Sequence, residues 1–338
     1  MMTSPFGRRS FQHGLSLVEL MIAMTLALLV VAVVATVFAG TSRNRGDLER
    51  SSRLAENTGY ALGLLTDEMR LAGFFGEMVF TGVAWQAPNP CSALLANQGW
   101  SHAPFTVPVG ITGYSGADAA PACIDDTGHR IPGTAAIVLR RLDVDTTPIA
   151  NATGVPYLQV SQCNADMPVA DPTWVYSDQP ADFIFRRIDC VTPAEVRRAI
   201  VRTYFVSACN ECGVDTTPTL KMSELTTAGV VITPLVEGVE NLQIEYGFDT
   251  NGDGNADVFR TGLSGVAGTP DNDWSNVVAT RIYVLLQSPD VEPGYHNAER
   301  RVDLGPLGLV TVPDDGRKRI VQIATVRINN AAGPRELP

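Results

Sequence analysis

The chain has 338 residues, 45% of them hydrophobic and 18% charged, which excludes a disordered or low-complexity protein and leaves room for one long helix plus one or two globular domains. Its net charge is −11, and nearly every basic residue is Arg, the lysines being Lys221 and Lys318 alone. So acidic a surface repels nucleic acid and excludes binding to DNA or RNA through bulk charge.

Residues 1–14 form a short polar leader carrying Arg8 and Arg9. Gly14 is followed by Leu15-Ser16-Leu17-Val18-Glu19-Leu20, and the 20 residues Leu20–Ala39 hold no charge. At about 1.5 Å rise per residue such a run spans the roughly 30 Å hydrocarbon core of a bilayer. A secretory signal has a shorter apolar part and ends in a small-residue cleavage site. Here the polar leader comes first, so the apolar segment, residues 15–40, belongs to the product. Glu19 is costly inside an apolar helix unless a cation meets it, which marks it as functional. Arg8 and Arg9 hold the leader in the cytoplasm, against a weaker pull from Arg43 and Arg45, so the rest of the chain lies outside the inner membrane. Without the leader, 23 basic residues face 36 acidic ones, a net charge of −13.

The junction resembles the type III signal of type IV pilins and type II secretion pseudopilins. That resemblance implies a prepilin peptidase that cuts after Gly14 and methylates Leu15. Glu19 becomes the fifth mature residue, paired with the N-terminal amine of a neighbouring subunit. Leu15 stands where the family most often has Phe. The simpler alternative is a single-span anchor with a chance Gly and Glu.

Residues 41–76 continue the helical pattern as an amphipathic stretch. Leu48, Ala55, Leu62 and Met69 recur every seven residues, with Leu65 and Ala72 as companions, a stripe suited to packing on the protein's own sheet. Leu15 to Ala72 as one helix would measure roughly 87 Å. Gly46, Gly59 and Gly63 weaken it by about 1 kcal/mol each relative to Ala, so a bend or melted turn is expected near Gly40 to Gly46. Gly73 ends it.

The globular region is 77–338. Residues 77–133 are rich in Pro, Gly and Ala and read as a long loop region with small pieces of structure. Strands are expected at Ala135–Leu142, Pro156–Ser161, Asp182–Ile188, Ile200–Ala208, Asn241–Tyr246, Val277–Gln287 and Arg319–Ile328, where β-branched and aromatic residues collect. Helical crossovers are lacking between most of them, so the sheets should be mainly antiparallel. A long N-terminal helix on such sheet is an α+β fold.

Further segments resemble the PilW minor pilins: Gly73-Phe74-Phe75-Gly76, Val201-Arg202-Thr203-Tyr204-Phe205-Val206, Pro234 to Ile244, and Ala279-Thr280-Arg281-Ile282-Tyr283-Val284. The resemblance implies a pilin-like fold and a role in starting and capping type IV pilus assembly. The partners it implies are other minor pilins and pilus subunits, a PilY-type tip adhesin, and the prepilin peptidase. It places the chain in the inner membrane as a single-pass protein and at the pilus tip after assembly. The J-type minor pseudopilin of type II secretion shares helix and sheet and is one alternative. A membrane-anchored binding or adhesion module is another, and it would need an exposed aromatic or basic cluster, whereas Trp85, Trp100, Trp174 and Trp274 are scattered along the chain.

Asp249, Asn251, Asp253, Asn255 and Asp257 occupy positions 1, 3, 5, 7 and 9 of an EF-hand-like calcium loop, with Gly254 at the sharp turn. A hard cation needs six to eight oxygens from a tightly curled backbone, and Asn255 would offer its carbonyl. Arg260 stands where the full motif has a bidentate Glu. The alternative is a solvated hairpin turn. Six cysteines, Cys91, Cys123, Cys163, Cys190, Cys209 and Cys212, follow the membrane segment, an even number that favours disulfides in an exported domain. Fifteen pairings are open, with Cys91–Cys123 favoured by proximity in one loop region. Cys209-Asn210-Glu211-Cys212 has redox-motif spacing, but a strand precedes it and Glu211 disfavours a thiolate, so a structural bridge is expected. His102, His129 and His296 lie scattered in loops. No HExxH, GxSxG or phosphate-loop motif occurs, and no enzyme activity is expected.

Overall fold

The computed structural model describes all residues except 1–15, 79, 81, 120, 125, 167–172, 227–228, 293, 298–299, 337–338 and the side chains of 43–44. Two compact units divide the chain, one ending at Ser51 and the other running from Ser52 to Pro338.

Helix α1 is Leu17–Leu71. It is hydrogen-bonded as helix through Gly40 to Gly46, so no melted turn forms there. In the first unit, every residue from Ser16 to Ser42 is exposed. This segment is long and apolar enough to cross a membrane.

In the second unit the helix buries Leu54, Thr58, Ala61, Leu65, Met69 and Ala72, at steps of three and four that follow the 3.6-residue turn. The expected stripe is corrected at its start: Leu48 and Ala55 are exposed, and Leu62 is half-buried. A strict repeat of seven drifts by about 20° per heptad on a straight helix, so within the second unit the stripe has already turned off the buried face at Ala55. Thr58 joins the buried face because its hydroxyl donates to the Leu54 carbonyl. Gly73, at φ +75°, closes the helix in the left-handed region that Gly tolerates, and its N–H donates to the Arg140 carbonyl at 2.9 Å. Gly110 comes so close that a Cβ there would lie 2.5 Å from the Gly73 nitrogen.

Short strands β1 (Ala84–Gln86), β2 (Thr106–Pro108) and β3 (Ile111–Tyr114) lie within the loop-rich 77–133 region. They are followed by β4 (Ala136–Leu142), β5 (Tyr157–Val160), β6 (Trp174–Ser177), β7 (Val196–Ser207), β8 (Thr219–Thr226) and β9 (Gly229–Glu237). The last group is β10 (Val239–Phe248), β11 (Val258–Arg260), β12 (Val277–Gln287), β13 (Arg301–Asp303), β14 (Leu309–Thr311) and β15 (Arg319–Arg327), before a short helix α2 (Asn329–Ala332). One seven-stranded sheet runs β3-β4-β7-β5-β6, with β8 on β7 and β9 on β8; a four-stranded sheet runs β11-β10-β12-β15. Every pairing within these two sheets is antiparallel, while β1 and β2 pair in parallel.

The main core joins helix residues Leu54, Ala61, Leu65 and Met69 to Ile137, Leu139 and Tyr204 of one sheet and to Leu242, Ile244 and Ile282 of the other. Each fully buried aliphatic side chain contributes about 1.5–3 kcal/mol. Charge fastens the same helix. Glu68 receives Arg141 at 3.1 Å and Arg202 at 2.8 Å, and Glu224 bridges Arg202 to Arg198. The architecture is α+β, a long N-terminal helix followed by mainly antiparallel sheet.

The expected strand at Asp182–Ile188 is not one. Pro180–Asp182 is a single 3-10 turn, and only an isolated bridge, Arg186 to Pro193, follows. Phe183 is buried while Ile184 and Ile188 are exposed. The segment is held instead by the Cys163–Cys190 bridge and by Arg186, whose guanidinium binds Asp166.

Candidate functional site

Gly14 and Leu15, the expected processing residues, lie outside the described residues. The helix that follows them starts at once. Ser16 accepts the Glu19 backbone N–H on its Oγ at 3.1 Å, half of the Ser-x-x-Glu capping box that fixes where a helix begins. Glu19 therefore sits in the first turn of α1, where a carboxylate complements the helix dipole. Its side chain is exposed, and around it Leu17, Val18, Leu20 and Met21 are exposed as well, between 51% and 76%. This helix is apolar on all sides with one acid at its start, a surface that water does not satisfy.

The Asp249–Asp257 loop joins β10 to β11, whose ends pair Phe248 with Val258. Asp249 is buried and accepts the backbone N–H groups of Gly252 at 2.6 Å and Gly254 at 3.0 Å. Its Oδ2 also receives Arg335 at 3.0 Å. Burial opposes the ionised form of Asp249, yet the Gly254 and Gly252 amides and the Arg335 guanidinium outweigh it and hold the carboxyl below its ordinary value. Asp257 accepts the Thr250 N–H at 2.7 Å and hydroxyl at 2.8 Å, and these lower it too. Asp253 and Asp257 both turn a carboxylate oxygen to the Asn251 side-chain amide, at 3.3 and 3.4 Å. Gly252 and Gly254 take φ of +86° and +82°, the left-handed values that curl the loop. The loop's oxygens are taken up by its own amides and by Arg335, and the carboxylates of Asp249, Asp253 and Asp257 do not gather as one ligand group; Asn255 gives its N–H to Asp253 at 2.8 Å. Arg335 lies outside the motif, 86 residues on from Asp249, and no sequence pattern announced it.

All six cysteines are bridged: Cys91–Cys123, Cys163–Cys190 and Cys209–Cys212. The favoured Cys91–Cys123 pair is present, Cys209 pairs with Cys212, and the remaining pair follows from them. The surroundings of the last bridge, Asp126, His129, Ser207 and Lys221, were not anticipated; the usable signal was the rarity of lysine, Lys221 being one of two in the chain.

The tryptophans do not form an exposed cluster. Trp100 and Trp174 are buried, with ring centroids 5.5 Å apart, and Trp85 and Trp274 line a cavity of about 220 Å³.

A family model described as type IV pilus-assembly protein W matches residues 203–330, from the second half of β7 to the start of α2. A second, the prokaryotic N-terminal methylation motif, matches residues 9–35 and so covers Gly14, Leu15 and Glu19. No curated protein matches the chain. Among solved structures, a type IV-like pilin from Thermus thermophilus is similar at 13% identity and a TM-score of 0.35, covering 83% of this chain and 98% of that one.

Proposed function

We propose that this chain, a type IV pilin-like subunit with a PilW domain and an N-terminal methylation motif, is a minor pilin that helps to start and cap pilus assembly. Pilins are structural, and the chain is read as a building block. A prepilin peptidase removes residues 1–14 and methylates Leu15, and the subunit waits in the inner membrane before it is drawn into the tip.

The observation that carries this reading is the helix of the first unit, exposed over Ser16 to Ser42, mostly apolar, and uncharged except for Glu19. Lipid covers it before assembly, and the corresponding helices of other minor pilins and pilus subunits cover it afterwards. Among those helices Glu19 meets the methylated amine of a neighbour. Either charge left alone in apolar surroundings costs several kcal/mol, so the pair sets axial register. A PilY-type adhesin is the partner expected at the distal end.

The test has two arms. In cells lacking the native copy, Glu19→Gln should insert into the membrane normally, while surface pili fall in number and the remaining ones keep their length, as befits a starter subunit. Normal pilus numbers would remove the role. Intact mass should begin at methylated Leu15, and Gly14→Val should abolish that species; a mature chain that begins at Met1 would sink the pilin reading.

We also propose that the Asp249–Asp257 loop takes one calcium ion weakly. Asp249, Asn251, Asp253 and Asp257 supply side-chain oxygens and Asn255 a carbonyl, and three carboxylates within nine residues favour a divalent charge. Arg335 already neutralises one of them, and Arg260 is committed to Asp271 at 2.8 Å, so affinity belongs at the weak, extracellular end of the range.

A further inference from the structure

Four polar side chains that the assembly role does not use surround the Cys209–Cys212 bridge. Lys221, 4% exposed, gives its Nζ to Asp126 Oδ2 at 2.7 Å and to Cys212 Sγ at 3.2 Å. Ser207, fully buried, donates to Asp126 Oδ2 at 2.7 Å and lies 3.5 Å from Cys209 Sγ. Cys212 Sγ is 3.4 Å from Asp126 Oδ2. His129 completes the group, and potential ligand atoms of Asp126, His129, Cys209 and Cys212 all lie within 4.8 Å of one another. No other group of this kind occurs among the described residues.

The scaffold is fixed. His129 and Ile131 are laced to the end of β7, the Ala208 N–H donating to the His129 carbonyl at 2.8 Å and the Ile131 N–H to the Val206 carbonyl at 2.9 Å. Asp126 and Thr127 hold φ of +51° and +57°, a conformation that non-glycine residues seldom adopt unless their surroundings impose it. His129 Nδ1 is tied to the Asp126 carbonyl at 2.7 Å, which leaves Nε2 as its free face.

We propose that, with the Cys209–Cys212 bridge reduced, Asp126, His129, Cys209 and Cys212 bind one zinc ion. Asp-x2-His and Cys-x2-Cys are both knuckle spacings, and two sulfurs, one nitrogen and one oxygen suit tetrahedral zinc. Zinc bonds of about 2.0–2.3 Å place neighbouring ligands roughly 3.5 Å apart, so the carboxylate and imidazole need only small shifts once the sulfurs separate. Charge balances in both states. In the bridged form Asp126 and Lys221 neutralise each other. In the zinc form two thiolates and one carboxylate are matched by the metal and the same ammonium, so the half-buried cluster stays neutral. Lys221 and Ser207, both donating to Asp126, act as the outer shell that orients a ligating carboxylate.

The chemistry is a two-electron exchange. A dithiol reductant delivers two electrons and two protons, the S–S bond breaks, and zinc then displaces both thiol protons. In reverse, a disulfide oxidant takes the two electrons, the bridge reforms and zinc leaves. The other two bridges close loops between residues 32 and 27 apart, against three here, so they constrain the unfolded chain more and should resist reduction longer.

The full chain in detergent is reduced stepwise with a phosphine under anaerobic conditions, alkylation mapping reports which bridge has opened, and native mass spectrometry follows zinc at buffered trace concentration. The expected result is one zinc per chain as Cys209–Cys212 opens, and cobalt in its place showing thiolate-to-metal absorption. Cys209→Ser should lose the metal and His129→Gln should weaken it by about tenfold or more. His129→Gln with its bridge closed should melt like the native chain, which separates a lost ligand from a lost fold. No zinc on the reduced chain, or undiminished zinc in either variant, overturns the proposal.

Discussion

The two units of the chain treat charge and apolar surface in opposite ways. From Ser52 onward, charges are paired inside the fold: Glu68 with Arg141 and Arg202, Arg319 with Glu240 and Asp315, Lys221 with Asp126. Apolar helix residues such as Leu65 and Met69 are covered by the unit's own sheets. Before Ser51 the helix keeps Leu17 to Phe38 exposed, and its single acid over that run is Glu19. One helix thus serves two solvents. The later part is stabilised by folding, whereas the earlier part requires lipid or other chains, so changes in the later part should register in melting and changes in the earlier part in assembly.

Glu68→Ala should produce the largest loss. It strands Arg141, whose side chain is 8% exposed, and leaves Arg202 with Glu224 as its remaining acidic partner among the described residues. Removing one partner of a buried ion pair costs about 3–5 kcal/mol. Chemical denaturation should therefore show a lower midpoint at unchanged slope. A loss below about 1 kcal/mol would put this network in the class of surface pairs and weaken the contrast between the units. The second comparison is direct. Leu65→Ala, at a fully buried site, should cost about 2–5 kcal/mol, whereas Leu29→Ala, at a site 63% exposed, should leave melting of the globular unit unchanged. Equal effects would erase the distinction.

Composition and local pattern made the first unit legible, because an uncharged run after Gly14 requires no tertiary information. The second unit was legible where β-branched and other apolar residues crowd a strand: Val277–Gln287 was read at its observed limits, and the starts of β4 and β15 within a residue. It was not legible where a tertiary partner overrides local preference. β8 and β9 went unread, since β8 buries Lys221 against Asp126 and β9 carries Pro234, which an edge strand paired only with β8 tolerates. Asp182–Ile188 looked like a strand by composition, yet a disulfide and an Asp166 contact hold it. The calcium-like loop was visible in sequence, but the hold of Arg335 on Asp249 was not.

A smaller effect belongs to the globular unit. Calcium in millimolar excess should raise its melting temperature over chelator, since an ion that binds only the folded chain stabilises it by about 2.7 kcal/mol at a hundredfold excess over Kd, and by less at weak affinity. Asp249→Ala with Asp253→Ala should remove the shift. An unchanged midpoint in the native chain, or a shift that survives the double substitution, would leave only a polar turn.

The smallest effect is in acid and comes from the Arg319 clamp. The guanidinium, with its side chain 1% exposed, is held between Glu240 on β10 and Asp315. It binds Asp315 through two N–H···O bonds of 2.7 Å. Those bonds from Arg319, aided by the Arg317 N–H and opposed by partial burial, lower the Asp315 carboxyl from 3.8 to about 2. A folded-state value below the unfolded one means stability that is complete above about pH 4 and is lost as pH falls through about 2. Asp315 is 39% exposed, so solvent screens the pair and the contribution stays modest. Asp315→Asn should therefore melt below the native chain at pH 7, with a gap that narrows steadily from pH 4 to pH 2. Melting curves at several pH values across that window decide the matter: a constant gap would mean that Asp315 acts through packing or backbone contacts, and that its ionised form is not what Arg319 requires.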